Sequence, residues 1–375
     1  MGDMFGMGAF NQDRYSELWE AVNRRLGDIR GSHGLPGVID ALCAQQFDLG
    51  FIQDDLREVL KYRIIHPTDA DRYFIVQYNP RRAQRFGGAG RNLPPPGCEA
   101  VNGGCFLCRA NVRWQQRGIE VGYDIAIDGC GNERHYVIWM NPFPLMDNHV
   151  TLATASHRPQ SWLRPQGAER DPVGIGPVLH DFLHLVGELP NYVGFYNGEG
   201  AGATIPHHFH YQFFRRPEGH GFFPLEAAAQ EGVKRGLSRE SRPGPVAGYP
   251  ISAIHLDGER ESVIAQATRV IELWEQINAD PTALSANLIG TQDPDHAGHF
   301  HLYIVPRNKT FSRGPGMVGV IAGLELLGEI VFSTAEEKQY LDRGRVDYHF
   351  IERILASVAA PRARDLEKMV AKEFG

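Results

Sequence analysis

The chain has 375 residues, 42% hydrophobic and 22% charged, a balance that supports roughly two core-forming units and excludes disorder as the default state. Its 38 Lys and Arg against 45 Asp and Glu leave a net charge of -7, which excludes the broad basic surface that duplex nucleic acid demands yet leaves single nucleotides open as ligands. No run approaches the roughly 18 apolar residues of a membrane span, and the opening MGDMFGMGAF has neither a basic nor an apolar signal region, so the expectation is a cytoplasmic protein with no membrane partner.

From about residue 13 to residue 60, apolar side chains recur at helical spacing (Leu18, Ala21, Val22 and Leu26, then Val38, Ile39 and Leu42) and predict two or three helices forming an accessory layer. Cys43 belongs to that apolar pattern. A strand follows at 72–78, then RFGGAGRNLPPPG, a surface loop that sets a domain edge near 93–96. The expected division is therefore 1–95 for the accessory region, 96–245 for a first half and 246–375 for a second.

Three strands, YDIAID (123–128), HYVIWM (135–140) and NHVTLATA (148–155), are separated by turn residues including NPFP (141–144) and predict an antiparallel meander. A helix at 177–189, the strand YVGFYN (192–197), the Gly-rich loop GEGAGATIP and the strand HHFHYQFF come next. This order then recurs. A helix at 262–279 precedes the strand ALSANLIGT and then HFHLYIVPR, whose likeness to HFHYQFFRR argues for an internal duplication. The fold class expected is α+β: an antiparallel sheet with helices, in two tandem halves.

On a strand, alternate side chains share a face, so His208, His210 and Gln212 lie on one side and Phe209 and Tyr211 on the other. Burying such polar groups without partners costs roughly 2–7 kcal/mol each, so they face solvent or surround a polar ligand. Gly198, Gly200 and Gly202 just upstream suit a loop whose backbone amides crowd around an anion. Beside an anion site, a neutral imidazole is a nucleophile for phosphorus. The plainer alternative is a solvated strand that happens to carry histidines.

NPFP, HVTLATASHRPQ (149–160), and Asn197 followed by the Gly-rich loop and HHFHYQ resemble the nucleotidyltransferase branch of the histidine-triad superfamily. That branch includes galactose-1-phosphate uridylyltransferase, diadenosine tetraphosphate phosphorylase and the GDP-hexose phosphorylases. The resemblance covers residues 105–309, with H-x-H-x-Q as its most specific motif. It implies a histidine-triad-like fold, His210 as the nucleophile, Gln212 as a phosphate contact, and Asn141, Asn197, Gly200, Gly202 and Thr204 as nucleotide-binding positions. Arg307 and Lys309, after the second HFH strand, read either as contacts for a sugar phosphate or incoming phosphate, or as a solvated strand end. The second half places His299 and His301 at the matching positions but has Tyr303 where the first has Gln212, so catalysis is assigned to the first half, with His301 as a lesser candidate nucleophile.

Five cysteines with no export signal suit thiols or metal ligands rather than a disulfide framework. Cys105 and Cys108 form a C-x-x-C pair, half of a tetrahedral zinc site. The resemblance implies His157 and His208 as the other two ligands; the rivals are a four-cysteine site with Cys98 and Cys130, or unmetallated thiols. It also raises a second metal at Glu226, His299 and His301, against which stands plain packing between the halves.

The acceptor names the enzyme: phosphate makes it a phosphorylase, a sugar 1-phosphate an exchange transferase, water a hydrolase. The segments YNPRR (78–82) and AGLELLGEIV (322–331) resemble the GDP-hexose phosphorylases, so the expectation is phosphorolysis of a nucleoside-diphosphate sugar. The alternatives are phosphorolysis of a dinucleoside polyphosphate, hexose-1-phosphate uridylyl transfer, and a non-catalytic nucleotide-binding zinc protein. A homodimer is compatible with the sequence, which leaves the oligomeric state open.

Overall fold

The computed structural model describes residues 12–52, 54–87, 99–112, 120–163, 173–219, 221–235, 241–278, 280 and 283–375. The expected boundary at 93–96 lies outside them. Helix α1 (Gln12–Asp48) is two helices merged across Gly34, whose φ of 66° no helix tolerates, and Pro36 then opens the second segment, where a missing N–H costs nothing. Strands β1 (Leu60–His66) and β2 (Asp69–Tyr78) form a hairpin, and a 3-10 turn at Pro80–Gly87 follows. The helical reading to about residue 60 is corrected: the helix ends at Asp48, and β1, starting at Leu60, is an edge strand, exposed or half-exposed throughout, on whose sequence burial imposes little pattern.

After the short helix α2 (Arg109–Val112) comes the expected meander of β3 (Tyr123–Gly129), β4 (Asn132–Met140) and β5 (Val150–Thr154). Strand β3 buries Tyr123, Ile125 and Ile127 and exposes Asp124, Ala126 and Asp128, as a strand with one wet face must. By contrast β5 and β6 (Tyr192–Asn197) are buried at every residue and read as near-continuous apolar runs. Between them lies α3 (Ile175–Glu188), and β7 (His210–Arg215) follows β6. Then come α4 (Pro224–Lys234), β8 (Gly244–Pro245), β9 (Ile254–Glu259), α5 (Arg260–Gln276), β10 (Ala286–Gln292), β11 (His299–Pro306), α6 (Gly323–Leu326), β12 (Glu329–Phe332), α7 (Ala335–Asp342), α8 (Tyr348–Ser357) and α9 (Ala363–Phe374).

Among the described residues, nine strands make one sheet in the order β3-β4-β5-β7-β6-β10-β11-β9-β8, and β1-β2-β12 make a second, in which β12 runs parallel to β2. The order β5-β7-β6 meets its mirror, β10-β11-β9, at the β6–β10 seam, and each side is built as helix, strand, strand. At that seam Gly194 pairs with Gly290, and a Cβ on either would stand 3.0 Å or less from the ring of Phe182, so two bare backbones let α3 settle onto the sheet. Fully burying a side chain of this size is worth about 1.5–3 kcal/mol.

One face of the large sheet, carrying Phe209, Tyr211, Phe300 and Leu302, packs in a core with α1, α3, α5 and α9. The other, carrying Phe214, Tyr303 and Val305, packs in a second core with β2, β12 and α8. The histidines of β7 and β11 share this second face. No helix among the described residues is long and apolar enough to cross a membrane.

Candidate functional site

His208 sits just ahead of β7, held in extended pairing by Phe209 N donating to the Arg158 carbonyl (2.7 Å) and Thr154 N donating to the Phe209 carbonyl (3.1 Å). Its Nε2 donates to the Thr154 carbonyl at 2.7 Å, which leaves the Nδ1 lone pair facing Cys105 Sγ (3.3 Å) and Cys108 Sγ (3.6 Å). His157 Nδ1 lies 3.4 Å from Cys108 Sγ and 3.3 Å from His208 Nδ1. The four ligand atoms all fall within 4.8 Å of one another, a Cys2His2 cluster able to hold a metal ion. Hydrogen bonds from the Cys105 thiol and the Asn102 amide lower the pKa of Cys108 toward the thiolate, while sharing that proton with Cys108, and burial, push Cys105 up. Such charge on sulfur is what a metal ligand needs. Cys130 is exposed in the β3–β4 turn and outside the cluster, and Cys98 lies outside the described residues.

Two residues on, His210 is 2% exposed. Its Nδ1 donates to the His208 carbonyl at 2.7 Å, so the lone pair resides on Nε2. Burial lowers its pKa to about 4, which keeps the ring neutral at neutral pH. Gln160 fixes the backbone: its Oε1 accepts from His210 N (2.7 Å), and its Nε2 donates to the carbonyls of His210 and Asn197 (2.9 Å each). Gln212 Nε2 stands 3.5 Å from His210 Nε2, and Gln212 Oε1 accepts from His149 Nε2 at 3.1 Å.

Gln212, Asn197, Gly202 and Thr204 line a pocket together with Arg82, Leu145, Phe195, Val331, Ser333 and every residue of 319–325 except the buried Ile321. Asn197 Oδ1 accepts from Asn287 Nδ2 (2.7 Å) and Gly323 N (3.0 Å), an arrangement that leaves its NH2 for the pocket. The segments 78–82 and 322–331, far apart in sequence, thus both reach this cavity, through Arg82 and through Ala322, Gly323, Leu324, Glu325 and Val331. Gly200 and Gly202 have φ of 72° and 90°, and a Cβ on them would lie 2.9 Å from the Lys309 backbone and 2.6 Å from the Ile321 carbonyl. The glycines are required first by close backbone packing; Gly202 borders the pocket and Gly200 does not.

Several expected residues sit elsewhere. Arg307 is neither a strand-end cation nor a pocket wall: it is 1% exposed, donating to Asn287 Oδ1 (2.7 Å) and the Val358 carbonyl (3.3 Å), with burial lowering its pKa to about 10. It braces the loop from behind, since Asn287 also donates to the Ala201 carbonyl at 2.8 Å. Lys309 pairs with Glu199 at 3.5 Å. Asn141 closes the NPFP turn by accepting from Phe143 N (2.9 Å) and does not line the cavity.

The second metal set is not brought together. Glu226 caps its own helix through Phe223 N (2.8 Å) and takes both Arg216 nitrogens (2.8 and 2.6 Å), so its carboxylate is already consumed. His299 Nε2 lies 3.2 Å from Asp257; His301 has Nδ1 3.1 Å from His255 Nε2 and Nε2 3.4 Å from Asp293. With both nitrogens engaged, His301 presents no nucleophile. Conversely, Arg82, Ser333, Gln160 and His149 belong to the site without having been assigned a role in it. The last two bound the HVTLATASHRPQ motif, but no spacing rule marks them.

Residues 42–215 match a family model described as a domain of unknown function, DUF4922; the match covers a little under half the chain and includes the Cys pair, His149, His157, His208, His210 and Gln212. A search of curated protein sequences gave no match. Among solved structures, yeast Ap4A phosphorylase Apa2 in complex with AMP superposes with a TM-score of 0.55 at 15% identity, covering 86% of this chain and 95% of that one. The fold is that of Ap4A phosphorylase. Two further structures of the yeast enzyme agree, one with TM-score 0.52 at 17% identity, covering 86% and 92% of the two chains, and one in complex with Ap4A, with 0.51 at 16%, covering 86% and 95%. The α+β architecture expected from the sequence, an antiparallel sheet with helices, is the architecture found.

Proposed function

We propose that the protein is a nucleotidyltransferase that carries a nucleotidyl group on His210 and delivers it to inorganic phosphate. One observation carries this reading: a buried, neutral imidazole whose Nδ1 proton is held by its own chain, with Nε2 beside the Gln212 amide at a pocket wall. In the first step the Nε2 lone pair attacks the α-phosphorus, the P–O bond to the leaving phosphate breaks, and that oxygen keeps the electron pair. The His208 carbonyl, already accepting from Nδ1, stabilises the positive charge on the substituted ring. In the second, a phosphate oxygen attacks the same phosphorus, the P–N bond breaks, and its electrons return to Nε2, releasing a nucleoside diphosphate. The amides of Gln212 and Asn197 donate to the phosphoryl oxygens as charge develops.

Zinc is the ion that two thiolates and two imidazoles suit. Held by Cys105, Cys108, His157 and His208, it supplies a cross-link rather than reaction chemistry.

The substrate is a nucleoside-diphosphate sugar, a reading supported by the segments 78–82 and 322–331, which both contribute residues to the same pocket. Phosphorolysis of a dinucleoside polyphosphate is the second reading, favoured by the fold shared with yeast Ap4A phosphorylase. Incubation with α-labelled GDP-, ADP- and UDP-hexoses and with labelled dinucleoside polyphosphates, followed by denaturing gels, tests both. Acid-labile label on the wild type that phosphate discharges as nucleoside diphosphate supports the cycle; its absence with every substrate overturns it.

A further inference from the structure

We infer that His149 is a positioning residue that sets which end of the Gln212 amide faces the reacting phosphorus. The inference rests on the nucleotidyl-His210 reading and deepens it. His149 is 1% exposed, at the start of the chain entering β5. Leu145 N donates to its Nδ1 at 3.2 Å, so that nitrogen is an acceptor and the ring proton resides on Nε2. That proton is donated to Gln212 Oε1 at 3.1 Å.

A carboxamide has one acceptor end and one donor end, and engaging the oxygen commits the NH2 to the opposite side. Here that side is His210 Nε2, 3.5 Å away, where the transferred phosphoryl group must sit during attack. The reversed amide would aim a carbonyl oxygen at phosphoryl oxygens, turning a stabilising dipole into a repulsive one. At 1% exposure no water replaces the imidazole, so the backbone N–H of Leu145 dictates the tautomer of His149, and His149 dictates the orientation of Gln212. Leu145 also lines the pocket, so the same ring joins the pocket wall to the amide that serves the chemistry. A purely structural His149 would need only the contact to Leu145.

Two substitutions separate the roles. In His149→Asn the side-chain oxygen can take the place of Nδ1 and hold Leu145, but the donor to Gln212 is lost; in His149→Gln an NH2 reaches the place of Nε2. Single-turnover labelling of His210 by the α-labelled nucleotide that labels the wild type is the readout. For His149→Asn the maximal labelling rate should fall about tenfold to hundredfold, with the half-saturating nucleotide concentration changed less than about threefold, and His149→Gln should recover most of the rate. His149→Asn combined with Gln212→Leu should be no slower than Gln212→Leu alone. Wild-type labelling in His149→Asn, or rate losses that multiply in the double variant, overturns the inference. No label on the wild type instead overturns the nucleotidyl-His210 reading. Nitrogen-15 spectra of the histidine rings give a readout besides activity: the Nε2–H tautomer at His149 supports the relay and the Nδ1–H tautomer overturns it.

Discussion

The same word, His-Phe-His, leads into β7 and opens β11, on opposite sides of the β6–β10 seam, with the second histidine of each on the same face of one sheet. In β7 the second histidine bonds one nitrogen to the His208 carbonyl and has the other beside the Gln212 amide, which lines the pocket; in β11 it is wedged between His255 and Asp293. The neighbouring strands make the difference. Across from His210 in register stands Ala153, whereas His301 faces Asp257 and Tyr303 faces His255. A motif of three residues therefore does not specify its chemistry; the residues paired beside it decide whether a lone pair is left over.

The largest effect that tests this contrast is loss of the nucleophile. His210→Ala should abolish the covalent label and cut turnover by at least roughly 10⁴-fold, while His301→Ala should keep label and turnover within a few-fold of the wild type. Label surviving in the first variant, or lost in the second, would reverse the assignment of the halves. Next comes the metal. Cys108→Ser should lose bound zinc in metal analysis and melt several degrees lower, whereas Asp257→Asn, beside His299, should leave metal content unchanged. A drop in metal in the second variant would place a second ion on the β11 side.

A smaller effect probes the strut that joins the sides. Asn287 is fully buried and bonds Asn197, Ala201 and Arg307. Asn287→Ala strands a buried guanidinium and should cost about 3 kcal/mol or more in denaturant unfolding. The smallest effect is on pH dependence. Burial, with His301 and His299 close by, lowers the pKa of His255 to about 3, while the ring of Tyr303 stacks on it and Asp293 engages His301. The unfolded chain then binds a proton below its ordinary value of about 6.5 that the folded chain refuses, so stability from this group is present above pH 6.5 and lost as pH falls toward 3. His255→Gln removes that slope. The melting-temperature difference between wild type and variant should move against the wild type on acidification, and a parallel pair of curves would refute it.

The sheet was legible because its central strands are buried on both faces and leave unbroken apolar runs such as YVGFYN, and because the word His-Phe-His occurs twice. Strand β1 was not, since an exposed edge leaves no burial pattern. The site was legible in part. The Cys pair, His208 and His210 stood out by spacing, but His157 and His208 were assigned as metal ligands through a resemblance alone, because a contact between Cys105 and a residue 103 positions away leaves no local mark. Arg307 was misread for the same reason: its partners Asn287 and Val358 are set by the fold, and a cation after a strand reads as surface. Glu226 did have a local signal, the third helical position behind Pro224, which is where a carboxylate reaches back to cap the helix start.

The wall formed by 319–325 is fixed by its backbone. Ile321 abuts Gly202, Gly323 donates to Asn197 and leaves no room for a side chain against Phe195, and the turn is capped by Glu325 at Ala322 N (2.9 Å). The side chains of Val320 and Leu324 hang from that scaffold into the cavity without contributing to its position. Under the proposed reading, chemistry and choice of substrate are separate: β7 holds the reacting groups, and Val320 and Leu324 offer surface that can vary without moving them. Substitutions at those two positions should then alter which nucleotide is accepted, leaving β7 untouched.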